Sequence, residues 1–183
     1  MDAMTSTGTS RPAVTTRGID HLGLTVPDIE AATDFFASAF GAQPLYDTLA
    51  GPAAGALLEQ SLGIPAGATV QRVRMLRLAN GPSLELFEYG DVDQRAPSRA
   101  CDYGIQHFAL YVDDLDVALE ATVAAGARPL APPEELPGME AGAGNRWMYA
   151  ELPWGGLIEL VTAPSPQAYE TTTPLRRWRP APS

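Results

Sequence analysis

A twelve-residue pattern occurs twice in this chain, and a duplicated module limits the architecture more tightly than local propensity can. Residues 19–30 read IDHLGLTVPDIE and residues 105–116 read IQHFALYVDDLD, an offset of 86 residues (107 − 21). Each copy is followed by a helix-like segment and by a matching exit: Gly41-Ala42-Gln43-Pro44-Leu45 in the first, Gly126-Ala127-Arg128-Pro129-Leu130 in the second. The duplication therefore covers strand, helix and turn.

Each copy opens with alternating apolar residues, the period of a strand. Asp28 and Asp114 stand where an N-cap would start a helix, and Gly41 and Gly126 where a C′ residue would end it. Strand-like runs follow at 70–78 (VQRVRMLRL) and 83–89 (SLELFEY), and again at 146–152 (RWMYAEL) and 156–161 (GLIELV). The expectation is an α+β chain with a βα unit followed by two or three strands, twice. Its modules occupy 18–92 and 103–163, joined by a linker at 93–102. A disordered tail at 1–17 and a Pro- and Thr-rich tail at 164–183 flank them, with Arg176, Arg177 and Arg179 of the latter solvated. An insertion over 49–69 is expected to hold a short helix near Ala56 to Leu62.

The chain has two histidines, and both occupy the same position of the repeated strand. Leu22, Leu24 and Val26 form one face of the first strand and Phe108, Leu110 and Val112 one face of its twin. If these faces pack under the helices, His21 and His107 point the other way, into a shared cavity. The closing strands repeat a second theme, Leu84-Glu85-Leu86 and Ile158-Glu159-Leu160, which sends Glu85 and Glu159 to the same side as the histidines. An unpaired carboxylate in a cavity costs several kcal/mol, and the chain contains no Lys to neutralise it. Two imidazoles and two carboxylates around one centre suit a borderline divalent ion such as Ni, Co, Mn, Fe or Zn, with two positions of an octahedron left for water or substrate.

With DHLGLTVPD paired to QHFALYVDDLD, and with the LELFEY and LIELV strands, the chain resembles the vicinal oxygen chelate superfamily over residues 18–163. That superfamily includes glyoxalase I, methylmalonyl-CoA epimerase, type I extradiol dioxygenases, fosfomycin-modifying enzymes and bleomycin-binding proteins. The resemblance implies two tandem βαβββ modules forming a cupped mixed sheet around one metal, held by His21, Glu85, His107 and Glu159, and a homodimer. It also implies a Glu acid/base, Glu159 or Glu85; Tyr111, which alternation puts on the face of His107, is a candidate to assist it. One departure is the turn Leu152-Pro153-Trp154-Gly155, where many relatives have Asp-Pro-Asp-Gly; Trp154 either lines the substrate pocket or caps the turn. Arg146, on the preceding strand, is a candidate for an anionic substrate group, as are Arg72 and Arg74, against the simpler reading of solvated arginines.

Glyoxalase I and the epimerase have four protein ligands, so the resemblance implies isomerase or lyase chemistry beside a carbonyl, on a small substrate chelating through vicinal oxygens. Ring-cleaving extradiol enzymes use a further histidine, which this chain lacks; an Fe(II)-dependent dioxygenase survives if one Glu is not a ligand. Bleomycin-type antibiotic-binding proteins, the non-catalytic alternative, generally lack the metal ligands. Twelve basic against 22 acidic residues, a net charge of −10, disfavours nucleic acid and anionic lipid. A lone cysteine, Cys101, and a polar N-terminus without an apolar signal segment give a cytoplasmic expectation.

Overall fold

The computed structural model describes residues 16–180, so the expected disorder of residues 1–15 lies outside the described chain. Both copies of the repeat adopt one topology. In the first, β1 (His21–Thr25), α1 (Ile29–Phe40), β2 (Gln43–Leu49), β3 (Thr69–Arg77) and β4 (Ser83–Gly90) form a sheet ordered β1-β4-β3-β2, with β1 parallel to β4. In the second, β5 (His107–Tyr111), α3 (Leu115–Ala124), β6 (Arg128–Pro129), β7 (Glu134–Glu135), β8 (Arg146–Glu151) and β9 (Leu157–Thr162) form a sheet ordered β5-β9-β8-β6, with β5 parallel to β9 and β7 on β8. The fold is α+β, and its mixed sheet comes in two parts, one per module.

Local chemistry starts and stops the helices where the repeat places Asp and Gly. The Asp28 carboxylate accepts from the backbone N–H groups of Glu30 and Ala31, each at 2.9 Å, and Asp114 does the same for Asp116 and Val117 at 2.9 and 3.1 Å. Gly41 closes α1 at φ 66° and Gly126 follows α3 at φ 106°, conformations that cost an L-residue a Cβ clash. The exit motifs become β2 and β6.

The apolar faces of the two sheets share a single core. Leu84, Leu86, Ile158 and Leu160 are wholly buried there with Phe36, and α1 packs against α3. Trp154, from the β8–β9 turn, meets Phe35 and Phe36 of the other module edge-to-face at 5.5 and 5.9 Å between ring centroids. The helices thus lie between the modules, and each sheet turns its other face outward. The inserted segment forms α2 (Ala56–Leu62), which buries none of its residues. The tail arginines are held as well as solvated: Arg177 pairs with Glu140, and Arg179 and Arg176 reach Glu170 at 3.0 and 3.3 Å.

Arg72 and Arg74 lie on the helix side of β3 and tie it to α1. Arg74 donates through Nε to Asp47 and through Nη1 to Glu30, both at 2.7 Å, while Arg72 also pairs with Glu30. The Arg74 guanidinium holds the Asp47 and Glu30 carboxyls below their ordinary values of 3.8 and 4.5. Carboxylates with depressed folded values contribute stability that is fully present above those ordinary values and is lost as pH falls through the lower folded ones. Arg74→Ala is therefore expected to cost about 1–3 kcal/mol at neutral pH, discounted for the exposure of Glu30. The difference from wild type should narrow at about pH 3, as urea melts at the two pH values would show.

Candidate active site

In the first module, the parallel register sets Gly23 beside Glu85 and His21 beside Ser83, so His21 and Glu85 leave neighbouring strands on the same face. His21 Nε2 stands 3.3 Å from Glu85 Oε2. The second module repeats this with Ala109 beside Glu159, and His107 Nε2 stands 3.0 Å from Glu159 Oε2. Both pairs sit on the outward faces, the side opposite the core. The carboxylates are the more sheltered members, with side chains 18% and 16% exposed against 41% and 24% for the histidines.

Within the chain these are two pairs, one per sheet. Among the described residues, no three His, Cys, Asp or Glu side chains converge closely enough to hold a metal ion. The shared core accounts for this: with both apolar faces turned inward against α1 and α3, the two faces carrying the histidines cannot also meet across one cavity of the same chain. A shallow apolar groove of about 900 Å³, lined by residues including Phe35, Ala125, Pro153 and Trp154, lies at the module junction and takes in none of the four.

The donor chemistry of each pair fits a cation. Each imidazole presents Nδ1 to an acceptor on the preceding residue: Asp20 Oδ2 at 2.8 Å for His21 and Gln106 Oε1 at 2.9 Å for His107. With the proton on Nδ1, the Nε2 lone pair faces a carboxylate oxygen, an arrangement that calls for a proton or a metal ion between them. Donors on adjacent vertices of an octahedron with bonds of about 2.1 Å stand about 3 Å apart, the separation seen in both pairs. The Asp20 hydrogen bond, with the Glu85 charge adding to it, raises the His21 pKa above the ordinary imidazole value; partial burial opposes the rise. Burial pushes the Glu159 carboxyl up against the lowering effect of His107.

The two faces differ in lining. Met75 lies opposite Glu85, whereas Tyr149 lies opposite Glu159. The Tyr149 ring meets His107 at 4.9 Å and Trp147 at 5.1 Å, both edge-to-face, and burial raises the Tyr149 phenol with help from the Glu159 charge. Tyr111 shares this face by strand alternation. Arg146 and Trp154 do not. Alternation puts Arg146 on the helix side with Met148 and Ala150, where it forms an ion pair with Asp116 at 2.9 Å, and Trp154 is spent in the junction between modules. Tyr149, Asp20 and Gln106 were missing from the sequence-based site. Asp20 and Gln106 were visible as repeat partners preceding each histidine; Tyr149 needed the β8–β9 register.

Residues 20–148 match the profile of the Glyoxalase/Bleomycin resistance protein/Dioxygenase superfamily. A 2-epi-5-epi-valiolone epimerase from Actinomyces sp. is 40% identical over 164 residues, covering 88% of each chain. Among solved structures, a glyoxalase family protein from Bacillus cereus superposes with a TM-score of 0.65 at 17% identity, covering 84% of this chain and 98% of its own. A mutant of the fosfomycin resistance protein FosX from Listeria monocytogenes, complexed with Mn(II) and 1S,2S-dihydroxypropylphosphonic acid, does so at 0.56 and 19% identity, covering 87% and 100%. A family profile matched over most of the chain and a relative 40% identical over 164 residues show the family: the chain belongs to the Glyoxalase/Bleomycin resistance protein/Dioxygenase superfamily.

Proposed function

We propose that the protein is a divalent-metal-dependent epimerase that inverts a carbon beside the carbonyl of a small polyhydroxylated ketone, with 2-epi-5-epi-valiolone, named for its 40% identical relative, as the first candidate. The observation that carries this reading is the pair of repeat-equivalent His–Glu couples, each with Nε2 aimed at a carboxylate. One chain presents them on separate sheets, so the site is read as composite: His21 and Glu85 of one protomer face the second-module pair of a partner, in a homodimer with two such sites. His21, Glu85, His107 and Glu159 would hold one ion, of Ni, Co, Mn, Fe or Zn. When bound, that ion supplies a positive centre for two adjacent substrate oxygens and for the negative charge that develops as the proton leaves.

The chain's own residues do the proton work. Inversion requires removal of the proton from one side of the carbon and its return to the other. Carboxylates contributed by facing sheets flank a substrate on opposite sides, so Glu159 and Glu85 are suited to be acceptor and donor. Tyr111 and Tyr149, on the face of His107, offer hydroxyls to the substrate's own. The test combines metal analysis of the purified protein with turnover in deuterated solvent: one bound ion per chain and deuterium at the inverted carbon are expected. Oxygen consumed stoichiometrically with substrate, without deuterium uptake, would replace this reading by a dioxygenase.

A further inference from the structure

The residue in front of each histidine carries an acceptor, and the two acceptors differ in charge. Asp20 is a carboxylate and can only accept, so His21 Nδ1 must be the donor in their 2.8 Å contact. Gln106 reaches the same result by a different route. Its amide nitrogen donates to the Ala100 carbonyl at 2.8 Å, which leaves Oε1 to accept from His107 Nδ1 at 2.9 Å. Asp20 and Gln106 are themselves repeat partners, 86 residues apart (106 − 20). Both modules thus keep a device that puts the ring proton on Nδ1 and frees Nε2, but only the first backs its imidazole with a full negative charge.

From this we infer that Asp20 and Gln106 are positioning residues that fix the tautomer of the two histidines, and that the charge on Asp20 makes His21 the stronger of the two metal donors. The physical basis is that a hydrogen-bonded carboxylate raises the basicity of an imidazole ligand, whereas an amide oxygen only orients it. The inference rests on reading the two pairs as a metal site, and a measurement that needs no metal separates it from that reading.

The first measurement is the imidazole nitrogen NMR spectrum of the metal-free protein in alkaline buffer, which two histidines make directly assignable. Wild-type His21 should carry its proton on Nδ1. Asp20→Ala should move it largely to Nε2, and Asp20→Asn, whose amide oxygen still accepts, should keep it on Nδ1. An unchanged His21 tautomer in Asp20→Ala would overturn the inference. The second is the dissociation constant for Ni(II), measured by chelator competition. Asp20→Ala should weaken binding about 10- to 100-fold, Gln106→Ala less than that, and Gln106→Glu should tighten it relative to wild type. Equal losses in Asp20→Ala and Gln106→Ala would overturn the ranking of the two donors. A wild-type protein that takes up no divalent ion would remove both the metal site and the ranking, while the tautomer result would still decide the positioning role. Asp20 is solvent-exposed, so its variants should fold, which circular dichroism can verify.

Discussion

Glu159→Gln and Glu85→Gln should each lower the rate of epimerisation by about 10²- to 10⁴-fold, the usual worth of a positioned acid or base. Glutamine keeps the length and shape of the side chain and removes its ability to take a proton. The more discriminating result is in the isotope pattern. If the two carboxylates flank the substrate as proposed, each variant retains one working base. Each should therefore still exchange the proton of one epimer with deuterated solvent while failing to invert it, and the two variants should favour opposite epimers. If both variants lose exchange from the same epimer, one residue is doing both transfers and the two-sided assignment fails. Metal content measured alongside separates loss of a base from loss of the ion, since an amide is the poorer ligand.

The repeat makes a large part of this arrangement legible in the sequence itself. It located both aspartate caps and both glycine stops, because those positions are set by local hydrogen bonding and by the sign of φ, which sequence encodes directly. It also paired His21 with Glu85 and His107 with Glu159 on one side of their strands, because alternation is a property of the backbone. What it did not convey was how the two modules meet. That is decided by Phe35 and Phe36, on the buried face of α1, meeting Trp154 of the far β8–β9 turn edge-to-face while α1 packs on α3, a long-range contact that helical periodicity does not encode. The same long-range choice places Trp154, whose turn position left open a pocket wall or a turn cap, in the module junction, where it also lines the apolar groove. Arg146 is a different case. Its parity with the buried Met148 and Ala150 placed it on the helix side, yet its partner Asp116 lies 30 residues away in sequence and could not be read from the strand alone.

The arrangement of the modules leads to a sharp expectation for mixed dimers. His21→Ala and His107→Ala homodimers should each be inactive and depleted of stoichiometric metal, because every site would lack one of its two nitrogen ligands. Co-expressing the two variants should restore activity. In a composite dimer, each site takes its first-module pair from one protomer and its second-module pair from the other. A dimer with one subunit of each kind then has one site with both histidines missing and one site with both intact. Random pairing makes half of the dimers mixed, so about a quarter of all sites, and about a quarter of wild-type activity and bound metal, should return. Sites built within single chains would give no recovery at all, since every chain would carry a lesion. Differently tagged variants purified through both tags isolate the mixed dimer, in which half of the sites should work; background activity in that preparation would rule out a site shared between protomers.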